Sequence, residues 1–548
     1  MNDKKISGWP DCNRPDPTFP LGTTIQESLL RVCEKFGKWS AIKDESSGLL
    51  SYKKLQLHAL ILAGQIRELP GDRIAVLLPS SVAAMVTVFA ILLSGKIPVM
   101  LNWTLGSNPL KSTQAVAGFE TIISSSKFLE KVKPDLGALQ KIVVSLEEIK
   151  EKISWWDKLS GWWLSRHEPE RILELLGVHE IDPHAPAVIL FTSGTEAEPK
   201  GVPLSHTNLL SNFIALAEPL AFTKDDVFLS ALPPFHSFGF STTGLLPILT
   251  GVRAVYTPNP LESKTIAGII EKNSATILMS APLFLQALFQ SVKRSDQQDA
   301  LHSIRLVVSG SEKAPNELYA ATEQLCPNGY FLEGYGLTEC SPVIASNRPE
   351  RPKSGVGTPL PGVELAFIDR ETKVPLPYGQ EGEICVSAPS VFYGYLGERK
   401  KVFTAIDGRD WLRTGDCGYI DTNGNLVISG RLKRFVKIGG EMVSLTRVER
   451  DLSKHLHNLF DDGIQIALTG YEEAGKKGVI QASIGFAAGR KEETIDVALL
   501  GSFLEAEGYS SLVRISDILT YSKGLPLTLV GKINYIQLAK DFQVRREK

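Results

Sequence analysis

Residues 191–206 read FTSGTEAEPKGVPLSH, and this stretch decides the fold. It follows the apolar run 187–190, which is typical of a buried strand, and precedes residues 207–217, which favour a helix. A strand, a loop rich in glycine, serine and threonine, and then a helix form the layout of a phosphate-binding loop. Small residues let backbone N–H groups approach an anion, and Lys200 adds a positive charge. The stretch therefore predicts a phosphate site at the end of a strand.

The loop differs from a Walker A motif. That motif requires Gly-x4-Gly-Lys-Ser/Thr, whereas here Lys200 precedes Gly201. This order excludes the P-loop kinases and GTPases. Taken alone, the segment has a second interpretation, a glycine- and serine-rich turn that binds nothing.

The composition predicts a soluble globular protein of several domains. The chain has 548 residues, 43% of them hydrophobic and 22% charged, and this length exceeds what one core supports. A net charge of −2 gives no attraction toward nucleic acid. Six cysteines without CxxC spacing predict reduced thiols in the cytoplasm. We expect no secretory signal, and the longest apolar stretch, 82–93, is too short to cross a bilayer and predicts a buried helix.

Short β-branched runs alternate with helical stretches through the first two thirds of the chain. This alternation predicts parallel α/β sheets covered on both faces. The predicted strands are 74–78, 98–101, 142–144, 187–191, 253–256, 276–279 and 304–308, and the predicted helices include 82–93, 209–217 and 265–272. From 357 to 426 the runs shorten and turn residues crowd in, which predicts a small β-barrel-like subdomain. Beyond 430 we expect a separate α+β domain, with strands at 464–468 and 479–484 and helices at 448–456 and 495–507.

Three further motifs follow the loop in a fixed order: GYGLTE (334–339), RTGD (413–416) with GRLKRFVK (430–437), and PLTLVGKI (526–533). With TSGT and PKG in the loop they resemble the signature series of the adenylate-forming superfamily of acyl-CoA synthetases, luciferases and peptide-synthetase adenylation domains. The resemblance covers residues 23–540. It implies a large N-terminal body (1–430) of two doubly wound α/β subdomains and a small β-barrel-like subdomain. A hinge (431–433) and a smaller mobile α+β C-terminal lid (434–548) would follow.

The resemblance implies ATP and Mg²⁺ as cofactors. Joining a carboxylate to the α-phosphate of ATP requires metal, cations and N–H donors more than a proton-transfer base. Tyr335 would stack on adenine, Thr338 would bind the α-phosphate, and Asp416 would bind the ribose. The implied nucleotide-binding residues are Thr192, Ser193, Gly194, Thr195, Lys200, Ser309, Gly310, Ser311, Gly334, Tyr335, Gly336, Thr338, Asp416 and Arg431. The implied metal ligands are Glu339 and Thr195.

Four residues carry the implied catalytic roles. Lys532 would neutralise charge in adenylate formation, although an exposed turn lysine is more often merely solvated. Lys433 occupies the hinge position, and Lys437 would serve the second half-reaction. His236 matches the histidine at the carboxylate end of the substrate tunnel, and a core histidine is the alternative.

Three fragments narrow the resemblance to the bacterial acyl-acyl-carrier-protein synthetases of phospholipid recycling: SALPPFHSFGF (230–240), GYGLTECSPV (334–343) and LNWT (101–104). Glu196 and Ala197 stand where the superfamily usually has threonine or serine and glycine, and the glutamate at this place resembles the same branch. The implied reaction transfers a fatty acid to holo-acyl carrier protein. One alternative is a long-chain fatty acid–CoA ligase. A remoter alternative is an inactive nucleotide- or lipid-binding relative, which the occupied charged positions disfavour.

The predicted lid is rich in cations between residues 431 and 454. An acidic carrier protein would find a favourable surface there, and a solvated charged face is the alternative. The cations are Arg431, Lys433, Arg434, Lys437, Arg447, Arg450 and Lys454, against the acids Glu441, Glu449 and Asp451.

Residues 153–164, ISWWDKLSGWWL, hold four of the eight tryptophans. Trp155, Leu159, Trp162 and Trp163 fall on one side of a helix, with cations nearby, which is typical of a helix lying in a membrane interface. We expect a cytoplasmic protein that binds the inner face of the membrane through Trp155, Trp156, Trp162 and Trp163, with the fatty-acid entrance near this segment. Packing against the protein's own core is the alternative.

Overall fold

The structure is a computed structural model that describes residues 7–11, 13–192, 199–295, 297–349, 354–397, 402–438, 441–460, 463–471, 479–487, 493–510, 513–527 and 532–547. The chain forms two compact units. The first runs up to Glu364 and includes Ser387–Phe403, and the second comprises Leu365–Val386 and the chain from Thr404 onward. The division predicted at residue 430 and the hinge at 431–433 stay predictions.

Two sheets organise the first unit. Its strands are β1 (Ser40–Asp44), β2 (Gly48–Ser51), β3 (Arg73–Val76), β4 (Ile97–Met100), β5 (Thr121–Ser124), β6 (Val143–Ser145), β7 (Pro186–Thr192), β8 (Lys200–Ser205), β9 (Val227–Ser230), β10 (Arg253–Tyr256), β11 (Ile277–Ser280), β12 (Leu306–Ser309), β13 (Tyr330–Gly336), β14 (Val343–Ser346) and β15 (Thr358–Pro359). A nine-stranded sheet has the order β15-β14-β13-β12-β11-β9-β10-β1-β2, and a six-stranded sheet has the order β6-β5-β3-β4-β7-β8. In the nine-stranded sheet the pairs from β13 to β1 are parallel, and β15-β14, β14-β13 and β1-β2 are antiparallel. In the six-stranded sheet β7-β8 is antiparallel and the other pairs are parallel, so the predicted α/β class is confirmed.

Helices accompany these sheets along the first unit. They are α1 (Ile25–Phe36), α2 (Tyr52–Arg67), α3 (Val82–Leu93), α4 (Ser107–Ala117), α5 (Ser126–Val132), α6 (Leu146–Lys152), α7 (Trp155–Leu164), α8 (Pro169–Leu176), α9 (His206–Leu220), α10 (Leu246–Leu249), α11 (Ser263–Asn273), α12 (Pro282–Lys293) and α13 (Asn316–Leu325). A π-helix spans Phe238–Leu245, and 3-10 turns span Gly137–Ile142 and Thr338–Cys340.

Helix α3 shows how local sequence sets these elements. The Ser81 hydroxyl accepts a hydrogen bond from the Ala84 backbone N–H and so caps the helix N-terminus. Nearly every residue of α3 is buried, as the continuous apolar run predicts. Within the described chain, no helix has both the length and the apolar character needed to cross a membrane.

The second unit contains residues 365–386 and 404–426 of the predicted β-rich segment, together with the α+β segment. Its strands, counting those that begin or end at its edges, are β16 (Glu364–Ile368), β17 (Gly382–Ser387), β18 (Phe403–Ile406), β19 (Arg409–Ile420), β20 (Leu426–Arg431), β21 (Phe435–Ile438), β22 (Glu441–Ser444), β23 (Ile464–Tyr471), β24 (Val479–Phe486) and β25 (Ile515–Tyr521), and its helices are α14 (Leu445–Phe460), α15 (Val497–Ala506) and α16 (Tyr535–Glu547). A five-stranded sheet has the order β16-β17-β19-β18, with β20 beside β19. The strands β21-β22 and β23-β24-β25 form two smaller sheets.

Candidate active site

The predicted phosphate-binding loop follows β7 and precedes β8, two antiparallel strands. β7 pairs with β8 so that Thr192 lies opposite Lys200, and α9 begins only after β8. The predicted strand–loop–helix layout is therefore wrong in one respect, because a second strand precedes the helix. Val202 and Leu204 explain the difference, since both are fully buried on the strand that completes the six-stranded sheet. Loop residues 193–198, which include Ser193, Gly194, Thr195, Glu196 and Ala197, lie outside the described part.

The GYGLTE motif turns sharply at the end of β13. A Cβ atom at Gly336 would lie 2.0 Å from the Pro342 carbonyl oxygen, so only glycine fits at this close approach. The 3-10 turn that holds Thr338 and Glu339 follows directly. Because β13 runs parallel to β12, both residues lie beyond the carboxyl end of a parallel strand, where α/β sheets bind ligands.

Thr338 also lies next to the histidine segment. The hydroxyl oxygens of Ser237 and Thr338 are 3.2 Å apart. His236 precedes Ser237, and its ring packs against that of Phe235 with 4.5 Å between centroids. The π-helix Phe238–Leu245 follows, a helix type that occurs often at functional sites. The fold thus brings His236 close to the GYGLTE motif, and its role at the substrate carboxylate stays a prediction.

The loop after β12 lies beside the start of GYGLTE. A Cβ atom at Gly310 would lie 3.7 Å from the Gly334 carbonyl oxygen. The Ser309 hydroxyl is buried and lacks a hydrogen-bond partner among the described residues. Ser311 has a φ of 79°, a left-handed conformation that is uncommon for serine. Such backbone strain and unused hydrogen-bonding capacity cluster at binding sites. The adenine contacts implied for this loop, and for Tyr335, stay predictions.

A buried carboxylate that the sequence did not point to braces this loop. Glu333 accepts hydrogen bonds from the Ala314 backbone N–H at 3.1 Å and from the Tyr319 hydroxyl. Burial and the neighbouring carboxylate raise the pKa of Tyr319 above its ordinary value. The Glu333 backbone N–H in turn donates to Asn347 at 2.9 Å. The sequence feature that could have indicated Glu333 is an acidic residue at the end of the apolar run directly before GYGLTE.

Tyr395 contacts both charged residues of the first unit that are assigned to ATP and Mg²⁺. Its hydroxyl donates a hydrogen bond to Glu339 Oε1 at 2.5 Å. The Nζ atom of Lys200 lies 5.2 Å from the centroid of its ring, within cation–π range. Lys200 and Glu339 come from distant parts of the chain, and the fold places them on one tyrosine. The sequence did not point to Tyr395.

In the second unit, Asp416 on β19 lies opposite Arg431 on β20. Asp416 is buried, and Arg431 Nε donates to its Oδ1 atom at 2.8 Å, so the two residues implied for the ribose site meet. Arg413 of the same RTGD motif donates two hydrogen bonds, at 3.0 and 2.8 Å, to Glu383. Glu383 is buried and also pairs with Lys373 at 3.2 Å. The bidentate pair of Arg413 and Glu383 fixes the start of the RTGD turn. The sequence did not point to Glu383.

The predicted lid lysines are described in part. Lys532 is partly exposed and lies next to the antiparallel bridge between Leu527 and Ile533. Lys433 lies in the 3-10 turn Leu432–Arg434 and Lys437 in β21, but their side chains lie outside the described part. The catalytic roles of these three lysines stay predictions.

One cation of the predicted carrier surface, Arg434, has most of its side chain buried. The Arg434 side chain is 15% exposed and pairs with Glu449 at 2.6 Å. It also donates to the Leu468 carbonyl at 2.7 Å and lies 3.9 Å above the Tyr535 ring centroid. Burial raises the pKa of Glu449, and the Arg434 charge opposes that shift. The prediction that Arg434 faces a carrier is therefore wrong, because a pattern of charges does not reveal which cation is buried.

The residues present fit a magnesium ion that is coordinated partly by the protein and partly by the phosphates of a nucleotide. Among the described residues, no group of three or more histidine, cysteine, aspartate or glutamate side chains can hold a metal. Mg²⁺ commonly takes one or two protein carboxylates and completes its shell with phosphates and water. Glu339 fits this pattern, because it is partly exposed and Tyr395 binds only one of its oxygens. Thr195 lies outside the described part.

Comparison with known proteins identifies the class. The sequence matches the AMP-binding enzyme family over residues 29–396. It is 30% identical to a long-chain-fatty-acid–CoA ligase of Bacillus subtilis over 95% of this chain and 94% of the relative. It is 30% identical to 4-coumarate–CoA ligase 1 of Narcissus pseudonarcissus over 74% of this chain and 75% of the relative. ATP-bound MatB from Rhodopseudomonas palustris superposes with a TM-score of 0.77 at 25% identity, over 94% of this chain and 99% of that chain.

The chain therefore belongs to the AMP-binding enzyme family, within the adenylate-forming superfamily. It is an ATP-dependent ligase of the acid–thiol class that forms an acyl or aryl adenylate.

Proposed function

We propose that this protein activates a fatty acid as acyl-AMP and transfers the acyl group to the phosphopantetheine thiol of holo-acyl carrier protein. The fatty acid is supported by the Bacillus subtilis relative, which is named a long-chain-fatty-acid–CoA ligase and aligns with almost the whole chain. ATP and Mg²⁺ are supported by a MenE structure from the same organism, which holds both and superposes with a TM-score of 0.75. This chain's own residues also support ATP and Mg²⁺ binding, because Tyr395 contacts both Lys200 and Glu339.

Each residue has a defined task in the proposed first half-reaction. Lys200 binds the β- and γ-phosphates, and Thr338 orients the α-phosphate. Glu339 would hold Mg²⁺, which would neutralise phosphate charge when bound. Asp416 accepts hydrogen bonds from the ribose hydroxyls. Lys532 neutralises the charge that develops where the carboxylate meets the α-phosphate, so its contribution is largest in the transition state.

One face of α14 supports the carrier protein as acceptor. Arg447, Arg450 and Lys454 recur at helical spacing, and their side chains are 66, 61 and 69% exposed. Their acidic partners are less exposed, at 13% for Asp451 and 30% for Glu507. The outermost charge of this face is therefore positive, which favours an acidic partner.

Charge reversal on this face is expected to weaken carrier recognition. The variant Arg447→Glu, Arg450→Glu, Lys454→Glu should raise the KM for holo-acyl carrier protein about tenfold and weaken its salt dependence, because the attraction becomes a repulsion. The kinetics of ATP should not change. The matched control reverses the charge of three exposed lysines elsewhere, two in α5 and one directly after it: Lys127, Lys131 and Lys133. Equal carrier kinetics in the two variants would contradict carrier docking on α14.

CoA is the second candidate acceptor. Its support is that the relatives above are named CoA ligases. The inactive alternative is disfavoured because Lys200, Glu339, Asp416 and Lys532 are all retained.

We further propose that α7 binds the membrane that supplies the fatty acid. Gly161 packs on α2 so closely that a Cβ atom would lie 2.5 Å from Ile61 Cγ1. The four tryptophans of α7 remain 46 to 63% exposed, and Arg166 lies 4.7 Å above the Trp162 ring centroid. A helix that packs on α2 through a close glycine contact, with exposed indole rings and cations nearby, suits a bilayer interface better than a protein core. We place the fatty-acid entrance near this helix.

Changing Trp155, Trp156, Trp162 and Trp163 to serine is expected to reduce binding to phospholipid vesicles at least about tenfold, because the apolar area that enters the interface is lost. Activity on fatty acid delivered in vesicles should fall, whereas activity on detergent-dispersed fatty acid should not. Sedimentation with vesicles measures the binding. The control changes the exposed Tyr330 and Tyr378 to serine. Unchanged sedimentation of the tryptophan variant, or a loss of its folded circular dichroism spectrum, would contradict the role of α7.

A further inference from the structure

A short segment of the first unit lies across two of the functional motifs. We define it as the strap, residues 389–396. The Phe392 backbone N–H donates to the Glu339 carbonyl at 2.9 Å, and the Leu396 backbone N–H donates to the Gly201 carbonyl at 2.9 Å. The strap is therefore hydrogen-bonded at one point to GYGLTE and at another to the residue after Lys200.

Side chains from the flanks of both motifs hold the strap further. The Asn208 amide donates to the carbonyls of Pro389 and Val391, each at 2.8 Å. The Ser341 hydroxyl donates to the Ser390 carbonyl at 2.9 Å. Asn208 belongs to the capping box of α9, and Ser341 follows the turn that carries Glu339. Together with the two backbone hydrogen bonds, these three side-chain hydrogen bonds fix the strap backbone relative to Lys200 and Glu339.

Tyr395 lies in the strap between Phe392 and Leu396, the two residues that make the backbone hydrogen bonds. Its hydroxyl binds Glu339 Oε1, and its ring faces the Lys200 ammonium group. The Phe392 ring packs edge-on against the Tyr395 ring with 5.1 Å between centroids, which restricts rotation of the ring. One tyrosine thus offers a hydrogen-bond donor to the anion and a π face to the cation.

We propose that Tyr395 is a positioning residue that holds Glu339 and Lys200 ready for Mg²⁺ and ATP, an inference that rests on the proposed adenylation chemistry. The hydroxyl fixes the carboxylate through one oxygen and leaves the other for the metal. The ring gives the ammonium group a neutral partner. A direct ion pair between Lys200 and Glu339 would have to break before phosphate and metal could bind, whereas a phenol separates the two charges at little electrostatic cost.

Two substitutions separate the two contacts of Tyr395. Tyr395→Phe keeps the ring and removes the hydroxyl, and Tyr395→Leu removes both. The matched control is Tyr393→Phe, which removes a hydroxyl from the same strap that lies 3.0 Å from His184 Nδ1. ATP binding is measured by calorimetry with and without Mg²⁺, and acyl-dependent ATP–pyrophosphate exchange is measured alongside.

We expect Tyr395→Phe to weaken ATP binding about tenfold when Mg²⁺ is present, because a charge-assisted hydrogen bond is lost. ATP binding without Mg²⁺ should stay as in the wild type. Tyr395→Leu should also weaken metal-free binding, by about threefold, since the cation–π contact is lost as well. The control should behave as the wild type in both titrations.

Two outcomes would overturn the inference. One is a Tyr395→Phe variant that titrates like Tyr393→Phe. The other is equal weakening with and without Mg²⁺ together with a lower unfolding temperature, which would mark a structural role. If the wild type showed no exchange with any fatty acid, the proposed function would fail, and the calorimetric comparison would still decide the role of Tyr395.

Discussion

Replacing Lys532 with alanine is expected to slow acyl-adenylate formation by about a hundred- to a thousandfold, the usual loss when one group that stabilises transition-state charge is removed. Transfer of the acyl group from supplied acyl-AMP should stay within about twofold of the wild type, because the new charge arises only where the carboxylate meets the α-phosphate. ATP–pyrophosphate exchange measures the first half-reaction, and thioester formation from acyl-AMP measures the second.

Two further variants show whether the Lys532 effect is chemical. Lys532→Arg keeps the charge and should restore part of the exchange rate. Lys523→Ala removes an exposed turn lysine of the same unit and should leave both half-reactions unchanged. Equal loss in both half-reactions with Lys532→Ala would show that the residue supports the structure of the unit instead.

Replacing Glu339 with glutamine is expected to slow adenylation about a hundredfold and to raise the Mg²⁺ concentration required, since a neutral amide is a poorer ligand for a hard cation. The substitution keeps the shape of the side chain, and its amide oxygen can still accept the hydrogen bond from Tyr395. The unfolding temperature should therefore stay close to that of the wild type.

The dependence of ATP–pyrophosphate exchange on Mg²⁺ concentration measures this effect. The control is Glu317→Gln, which neutralises an exposed carboxylate in the first turn of α13. A Mg²⁺ dependence of Glu339→Gln that matches this control would place the metal ligand elsewhere.

Elements with a strong apolar pattern were predictable from the sequence. The bounds of α3 agree with the predicted helix 82–93, because a continuous apolar run with a serine cap leaves few alternatives. The predicted strand 253–256 coincides with β10, which is buried throughout. In the second unit, α14 (Leu445–Phe460) extends three residues before and four residues after the predicted range 448–456.

The hairpin of β7 and β8 was not predictable from local pattern. Residues 200–205 include a glycine and a proline, which weaken a strand signal, and the strand forms because β7 supplies its backbone partner. The predicted surface position of Arg434 was wrong for a similar reason. Its burial depends on Glu449 and Tyr535, which the fold brings to it from other elements.

The positions of Tyr395, Glu333 and Glu383 in the site were likewise beyond sequence reasoning. Tyr395 contacts motifs that are remote in sequence, and Glu333 and Glu383 are carboxylates that the fold buries. Neither feature leaves a local pattern in the sequence. The motifs themselves identified Lys200, Thr338, Glu339 and Asp416, and the fold brings the first three to neighbouring loops of one unit.

The central proposal, transfer of an activated fatty acid to acyl carrier protein, is tested most directly by one competition measurement. The protein is supplied with ATP, Mg²⁺ and a long-chain fatty acid, and with holo-acyl carrier protein and CoA together at equal concentration. The two thioesters are quantified by mass spectrometry over the initial phase of the reaction. We expect acyl-acyl carrier protein to form in large excess over acyl-CoA. Predominant formation of acyl-CoA would contradict the proposal and make this protein a fatty acid–CoA ligase.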